Sequence, residues 1–302
     1  MTGTIAQMFT LLLIVMAGFV ANRCGIFDAT LEKKLSNAII YMTCPLLIIG
    51  SVMGEDLPDR RLIPPLFIVS VITYLLLCLI CWFLPRLFVR QRGERGIYSF
   101  MLMFANVGFI GYPVVASIFD SRAVFYAALL NMPNTFFVFL VGLPFVAGKQ
   151  AKINIWHILY HPAMIACYIA IAIVAFRITD IPAVVSNPIV LVGNITVPGA
   201  LLIIGSSMAN IKFKKLLGTP PVYVMTFFRL LAIPTAMYLL FKAIGINSFV
   251  NQINTILIAM PVASYGTMFC LQQNRDTTSM VQGTVITTIL SVITIPLITM
   301  LF

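Results

Sequence analysis

The chain has 302 residues, of which 61% are hydrophobic and only 9% are charged, and its formal net charge is +10. Soluble domains carry about 25% charged residues, so this composition excludes a soluble globular domain and indicates a membrane protein. The lysines and arginines lie between apolar stretches, which suits membrane orientation and leaves no soluble basic domain for nucleic acid.

Apolar stretches follow one another along the chain with short connections, so we predict a single all-α transmembrane domain over residues 1–302. The first stretch is not preceded by a basic residue, and we therefore interpret it as a span rather than as a secretory signal. The ten predicted spans cover residues 4–22, 35–53, 62–84, 97–118, 122–147, 162–178, 188–208, 221–242, 250–271 and 277–301.

Basic residues are unevenly distributed between the two sets of connections. Thirteen lysines and arginines follow odd-numbered spans, five follow even-numbered spans, and Arg229 lies inside the eighth span. Because cytoplasmic loops are enriched in lysine and arginine, both termini are predicted to face outward and residues 148–161 to be cytoplasmic. The expected location is the cell (inner) membrane, which the chain crosses many times.

The fourth predicted span contains residues that interrupt a helix. Asn106, Gly108, Gly111 and Pro113 fall within eight residues there. A helix loses roughly 1 kcal/mol for each glycine and about 3 kcal/mol for a proline. Irregular backbone at membrane depth is tolerated only beside protein or a water-filled cavity, so this stretch predicts an intramembrane site. The ninth span has the same character over residues 259–266, A-M-P-V-A-S-Y-G.

An internal repeat relates the two halves of the chain. Residues 46–53, L-L-I-I-G-S-V-M, return as residues 201–208, L-L-I-I-G-S-S-M, at an offset of 155. Each copy would hold five spans, so the second copy would enter the membrane from the opposite side. We therefore predict a 5+5 inverted repeat, with repeat one over residues 1–147 and repeat two over residues 160–302. The broken helices four and nine would cross near its axis.

On these residues the sequence resembles the auxin efflux carrier family, bacterial permeases related to the plant PIN-FORMED auxin carriers. The fourth-span pattern of the family is present as Asn106, Gly111 and Pro113, although the plant carriers have a proline where this chain has Ala105. The other matching positions are Pro45, Pro198, Pro261, Tyr265, Gly266, Thr287, Leu290, Ser291, Ile295 and Pro296.

The resemblance implies a secondary transporter of small organic anions such as malate, malonate or auxin-like carboxylates. It also implies an elevator-type alternating-access mechanism, in which spans 3–5 and 8–10 move against a scaffold of spans 1, 2, 6 and 7. The scaffold would pair into a homodimer, so the expected partners are the anion, the lipid bilayer and a second copy of the chain. The alternatives are a sodium-coupled symporter of the bile-acid type and a ligand-binding membrane sensor without net transport.

The candidate substrate site combines helix ends with amide side chains. Helix N-termini carry partial positive charge and unpaired N–H groups, which bind carboxylates without a formal cation. Asn106 can donate to a ligand through its amide, or it can satisfy backbone groups that the break has freed. Helix contacts are the alternative role for Asn131 and Asn134, and the membrane interface is the alternative for Tyr265. The candidate residues are Asn106, Val107, Gly108, Gly111, Pro113, Asn131, Asn134, Arg229, Pro261, Val262, Ser264 and Tyr265.

Charged and reactive residues narrow the mechanism. Arg229 could oppose a substrate anion, or it could instead extend toward the membrane surface or pair structurally within the protein. All nine carboxylates map to predicted loops, which disfavours a carboxylate-based proton or sodium carrier. We expect no metal or cofactor, because Cys78 and Cys81 lie in an apolar helix and His157 with His161 lacks a third ligand. Without a G-x-S-x-G motif or an embedded histidine, the chain is not expected to be an enzyme.

Overall fold

The computed structural model describes residues 2–53, 57–147, 156, 159–209, 218–263, 265–273 and 275–302. The predictions for Ser264, for His157 and for most of the central connection therefore fall outside the described residues. Within the described ranges the chain is helical, apart from turns, irregular connections and one isolated antiparallel bridge between Ala105 and Val262. The all-α prediction is confirmed for this part of the chain.

The described helices are given in chain order. They are α1 (Thr2–Arg23), α2 (Ala29–Ala38), α3 (Cys44–Gly50), α4 (Ile63–Phe83), α5 (Pro85–Phe88), α6 (Arg95–Met103), α7 (Tyr112–Ile118), α8 (Ala123–Phe137), α9 (Leu143–Ala147), α10 (Pro162–Phe176), α11 (Ala183–Asn194), α12 (Thr196–Ala209), α13 (Pro220–Phe227), α14 (Ile233–Ile244), α15 (Ser248–Ala259), α16 (Tyr265–Gln272) and α17 (Thr278–Thr299). A 3-10 turn covers Arg60–Leu62, and π-helical turns cover Ile39–Thr43, Val107–Gly111, Val138–Gly142 and Phe228–Ala232.

Several of these helices form continuous stretches of membrane-spanning length. In the described part of the chain, five stretches are long and apolar enough to cross a membrane: Arg60–Phe88, Ala123–Ala147, Ala183–Ser206, Pro220–Ile244 and Thr278–Thr299. Shorter apolar helices cover Leu13–Arg23, Val107–Ile118 and Pro162–Phe176. These stretches agree with a membrane protein, while the count of ten spans and the inverted repeat stay predictions.

Each π-helical turn in the described residues ends two positions before a proline. Pro45, Pro113, Pro144 and Pro234 stand second in the helical segments that follow these turns. Proline cannot donate to the carbonyl four residues earlier, and its ring crowds that carbonyl. A π-helical turn widens the backbone at this point and lets the helix continue past the proline. These prolines therefore shape long helices without ending them.

The chain divides into two compact units. The first unit comprises Met1–Pro65, Gly108–Met132 and Trp156–Ile211, and the second comprises Leu66–Val107, Pro133–Ile155 and Lys212–Phe302. The predicted grouping of spans into a scaffold and a moving domain remains a prediction.

In the first unit, α1 and α12 pack with their backbones in contact. A methyl group on Gly18 would overlap the backbone of α12, and one on Gly205 would overlap the carbonyl oxygen of Val15. One helical turn beyond Gly18, Asn22 Nδ2 donates to Ser206 Oγ at 2.9 Å. Small residues with a neighbouring polar pair are typical of helix contacts in membranes. The hydrophobic effect does not drive helix association there, because lipid tails are as apolar as the side chains that would be buried.

One carboxylate belongs to this contact and not to a loop. The sequence predicted all nine carboxylates in loops, but Glu32 lies in the first turn of α2 and accepts a hydrogen bond from the buried Ser206 hydroxyl. Asp28 caps the same helix by accepting from the Leu31 N–H at 2.6 Å. Acidic residues are favoured where a helix begins, because the helix dipole is positive there. The prediction was wrong for Glu32 because it treated this helix start as a connection.

The core of the second unit contains packed aromatic rings and a buried hydrogen bond between two helices. The rings of Phe100 and Phe104 have centroids 5.0 Å apart, and a methyl group on Gly142 would lie 2.7 Å from the Phe104 ring. Asn254 Nδ2 donates to Thr73 Oγ1 at 3.0 Å, and both residues are buried. Buried polar groups lose free energy unless they are paired, so this bond fixes α15 against α4.

Gly205 and Gly50 occupy equivalent positions in the sequence repeat but have different surroundings. We expect Gly205→Ala to lower the free energy of unfolding by about 1–3 kcal/mol, because the methyl group overlaps the Val15 carbonyl. Gly50→Ala is the matched control, since its methyl group would make an ordinary contact with Val190 at 3.5 Å. Thermal unfolding of the two purified variants measures the difference. Equal melting temperatures would contradict the close backbone contact.

Candidate functional site

The helix of the fourth apolar stretch is interrupted at Asn106. α6 ends at Met103, Phe104 takes extended backbone angles of φ −105° and ψ 122°, and helical structure resumes at Val107. Pro113 lies in the first turn of α7, so it follows the interruption and does not form it. Asn106 therefore lies outside helical structure, between α6 and the turn that starts at Val107, and its side chain is buried.

The ninth apolar stretch is interrupted at Pro261. α15 ends at Ala259, Met260 has φ −64° and ψ 150°, and α16 begins at Tyr265. A residue that precedes proline is disfavoured in helical conformation because the proline ring would clash with it. The sequence therefore determines locally where this helix ends. Ser264 is outside the described residues.

The two interruptions face each other within the second unit. Residues 104–106 and 261–263, which we name the paired segments, run antiparallel and are buried. Backbone N–H and carbonyl groups that leave a helix inside a membrane need other hydrogen-bond partners, because no water is available to them. Two hydrogen bonds join the segments: Asn106 N–H donates to the Pro261 carbonyl at 2.8 Å, and Ala263 N–H donates to the Phe104 carbonyl at 3.0 Å.

A threonine of α17 supports the paired segments. Val262 N–H donates to Thr287 Oγ1 at 3.1 Å, and the same hydroxyl donates to the Gly283 carbonyl at 2.7 Å. A hydroxyl can accept one hydrogen bond while it donates another, so Thr287 satisfies Val262 without losing its own helix bond. The resemblance to the family included Thr287 among its matching positions, but residue chemistry did not give it a role, because α17 contains many threonines; only the tertiary structure shows that its partner is Val262.

Arg229 caps the helix that ends at the fourth-span interruption. Its side chain is fully buried, and Nη1 donates to the Leu102 carbonyl at 3.1 Å. In a continuous helix this carbonyl would accept from Asn106 N–H, which is bonded to Pro261 instead. A cation is also favoured where a helix ends, because the dipole is negative there. The side chain thus points inward, and the alternative in which it extends to the membrane surface does not describe its position.

The remaining fourth-span candidates lie in the first unit together with Asn131. Asn131 Nδ2 donates to the hydroxyl of Tyr112 at 3.1 Å, which joins α8 to α7 between Gly111 and Pro113. Gly108 is half-buried, and a methyl group added there would meet no atom of the described residues within 4 Å. There is therefore room beside the first turn that follows the interruption.

The other candidates belong to the second unit. Val107 and Asn134 are buried, and Tyr265 opens α16, although its side chain is outside the described part. The structure thus brings together Asn106, Pro261 and Val262. Arg229 belongs to the same group because it binds the Leu102 carbonyl at the end of α6. In the described residues, no three His, Cys, Asp or Glu side chains gather closely enough to hold a metal ion.

These observations define a class of protein. A chain of apolar helices in which two interrupted segments satisfy each other's backbone at a buried position has the architecture typical of membrane transporters. The chain belongs to the membrane transport protein family, also called the auxin efflux carrier family, whose description reads "Membrane transport protein" and whose sequence model matches residues 4–156 and 149–299. The family identifies it as a transporter and not an enzyme.

Two archaeal proteins are similar along almost their whole length. One, an uncharacterized transporter of Methanocaldococcus jannaschii, is 23% identical over 299 residues, which cover 95% of this chain and 94% of the relative. The other, an uncharacterized transporter of Methanothermobacter thermautotrophicus, is 22% identical over 305 residues, covering 98% and 97% of the two chains. The similarity therefore extends over both interruptions.

Removing the buried guanidinium tests its role as a helix cap. We expect Arg229→Gln to lower the free energy of unfolding by about 1.5–3 kcal/mol, the usual contribution of a hydrogen bond to a charged group. Arg60→Gln is the control, because Arg60 is exposed at the beginning of its helical stretch. Differential scanning fluorimetry in detergent measures both variants. If Arg229→Gln melts with the wild type, the Leu102 bond does not stabilise the interruption.

Proposed function

We propose that the protein is a secondary transporter of a small organic anion, a carboxylate of the malate, malonate or auxin type. The observation that carries this proposal is the pairing of the two interrupted helices through Asn106 and Pro261. Such interruptions in transporters lie at the substrate site, where helix ends and freed backbone groups bind the ligand. In the second unit, the substrate contacts are proposed for Asn106, Val107, Pro261 and Val262. The other candidates from the sequence stay part of the proposal, and no position relative to these four is proposed for them: Gly108, Gly111, Pro113, Asn131, Asn134, Arg229, Ser264 and Tyr265.

The charge distribution supports an anion as the substrate. Among the described residues, Arg229 has a charged side chain that is fully buried. The paired segments contain no acidic residue. Helix starts follow both segments, at Val107 and at Tyr265. The first N–H groups of a helix carry partial positive charge, which favours a carboxylate in a low-dielectric site. A cation would find few acceptors with negative charge there.

Repeat-related positions support the 5+5 inverted architecture. Asn106 and Pro261 are separated by 155 residues, which is the offset of the echo between residues 46–53 and 201–208. In the first unit, the hydroxyl of Thr196 donates to that of Thr43 at 2.9 Å, and each threonine precedes a proline by two residues, although their separation of 153 residues differs by two from the offset of the echo. Contacts between equivalent positions of two repeats are expected near a pseudo-two-fold axis. Crossing of the broken helices four and nine belongs to the same proposal.

The transport cycle follows from this architecture. Spans 3–5 and 8–10 would move as an elevator against a scaffold of spans 1, 2, 6 and 7, and two scaffolds would pair in a homodimer in the cell membrane. Both termini would face outward. Moving one charge across 100 mV is worth about 2.3 kcal/mol, so the membrane potential alone drives export of an anion from a cell that is negative inside.

Truncation of the amide at the interruption tests the substrate site. We expect Asn106→Ala to weaken binding of the cognate carboxylate about 10- to 100-fold, the loss of one hydrogen bond to a charged group. The measurement is a thermal-shift titration of purified protein with malate, malonate and indole acetate, with and without sodium.

Asn254→Ala provides the matched control for this substitution. Asn254 is also a buried amide of the second unit, but it is bonded to Thr73. This variant should melt earlier and bind the carboxylate as tightly as the wild type does. Wild-type affinity in a folded Asn106→Ala protein would remove Asn106 from the site.

The space beside Gly108 gives a steric test of the same site. We expect Gly108→Val to retain near-wild-type stability, since a methyl group there meets no described neighbour within 4 Å, and to reduce carboxylate transport at least tenfold by filling ligand space. Gly205→Ala should do the opposite, because its methyl group would overlap the Val15 carbonyl and no residue of the paired segments. Uptake into proteoliposomes and melting temperature separate the two effects. Normal transport by Gly108→Val would place the substrate elsewhere.

A further inference from the structure

Exposed arginines and aromatic rings form one surface of the second unit, where the helical stretch Arg60–Phe88 ends. We name it the arginine surface; it consists of Trp82, Phe83, Arg86, Arg90 and Arg92. The two aromatic side chains are 53% and 59% exposed, and the three arginines are exposed as well. Apolar rings and cations thus share one end of a stretch that is long and apolar enough to cross a membrane.

Arg86 is held in place by the two rings. Its guanidinium carbon lies 5.5 Å from the ring centroid of Trp82 and 4.9 Å from that of Phe83. Cation–π contacts of this kind restrict a long side chain while leaving its N–H groups available to an anion. Tryptophan is also enriched at the depth of the lipid headgroups. We therefore expect the Arg86 guanidinium to lie at the depth of the lipid headgroups.

Two further arginines shape the turn that carries Arg90 and Arg92. Arg95 Nε donates to the Val89 carbonyl at 3.0 Å, and Arg275 donates to the Gly93 carbonyl. These bonds fix the backbone of the turn on both sides of Arg92. Arg95 and Arg275 thus bind the backbone of the turn, whereas the side chains of Arg86, Arg90 and Arg92 are exposed.

Two carboxylates of the same unit accept hydrogen bonds from hydroxyl groups and do not pair with the three exposed arginines. Glu94 Oε2 accepts from Ser279 Oγ at 3.1 Å, and Asp276 Oδ1 accepts from Thr278 Oγ1 at 2.7 Å. The Thr278 backbone N–H also donates to Asp276 and is the main reason why the pKa of this carboxyl lies below its usual value. Across the described residues, no ion pair joins either carboxylate to Arg86, Arg90 or Arg92.

We propose that the arginine surface binds the phosphate groups of anionic phospholipids in the adjoining leaflet. Arginine matches phosphate oxygens with paired N–H groups, and exposed Trp82 and Phe83 suit the beginning of the acyl chains. The basic character of the turn also predicts that it faces the cytoplasm, where the leaflet is negatively charged. Exposed rings beside the cations distinguish a lipid from free phosphate. This inference does not depend on the proposed substrate.

Lipid titration of the purified protein tests the proposal. Wild-type protein in a neutral detergent is titrated with phosphatidylglycerol or phosphatidylcholine of identical acyl chains, and bound lipid is counted by native mass spectrometry. We expect clear preference for phosphatidylglycerol. An arginine that lies beside a bound anionic lipid contributes roughly fivefold to the affinity for that lipid, so R86Q/R90Q/R92Q should bind it about 100-fold more weakly.

Three controls make the outcome decisive. R60Q/R61Q removes two exposed arginines from the other end of the same stretch and should bind phosphatidylglycerol within twofold of the wild type. Arg86→Lys keeps the charge but loses the planar fork, and it should lose part of the affinity. Glycerol phosphate, which lacks acyl chains, should not compete. Equal binding of both lipids by the wild type, unchanged affinity of the folded triple variant, or competition by glycerol phosphate would each overturn the proposal.

Discussion

A peptide group that leaves a helix away from water must find another hydrogen-bond partner, and this requirement governs the second unit. Two helices stop, at Met103 and Ala259, and each frees N–H and carbonyl groups in an apolar interior. The freed groups of one segment bind those of the other through the Asn106–Pro261 and Ala263–Phe104 hydrogen bonds. Neither interruption would be stable alone, because an unsatisfied buried polar group costs several kcal/mol in lipid.

The pairing creates further needs that polar side chains meet. Once Asn106 N–H turns to Pro261, the Leu102 carbonyl loses its helical donor, and Arg229 replaces it. Val262 N–H finds Thr287 in the same way. A buried arginine and a buried threonine are therefore parts of one backbone structure, and they place a positive charge beside the helix ends. This arrangement links the stability of the interruption to its proposed use as an anion site.

Local sequence signals located the interruptions but gave incomplete information about their partners. Pro261 excludes helical backbone at Met260, and clustered glycines with Asn106 weaken the fourth span, so both positions were predictable. Glu32 was misplaced because the start of α2 was treated as a connection, and its bond to Ser206, which is 174 residues away, was not predicted either. Arg229 was recognised as unusual, yet its partner is 127 residues distant and is a backbone carbonyl, which carries no sequence signature. Thr287 was chemically indistinguishable from its neighbours in α17.

The sequence by itself determined that the chain is a helical membrane protein, that its helical structure is weakened near Asn106 and Pro261, and which family it belongs to. These properties depend on composition and on preferences of neighbouring residues, such as the missing proline N–H and the low helix propensity of glycine. Only the tertiary structure decided which freed carbonyl accepts from which donor. It also decided that Arg229 binds the Leu102 carbonyl and that Thr287 accepts from Val262. Hydrogen bonds between distant residues depend on where packed helices bring their atoms, and that position is a property of the whole fold.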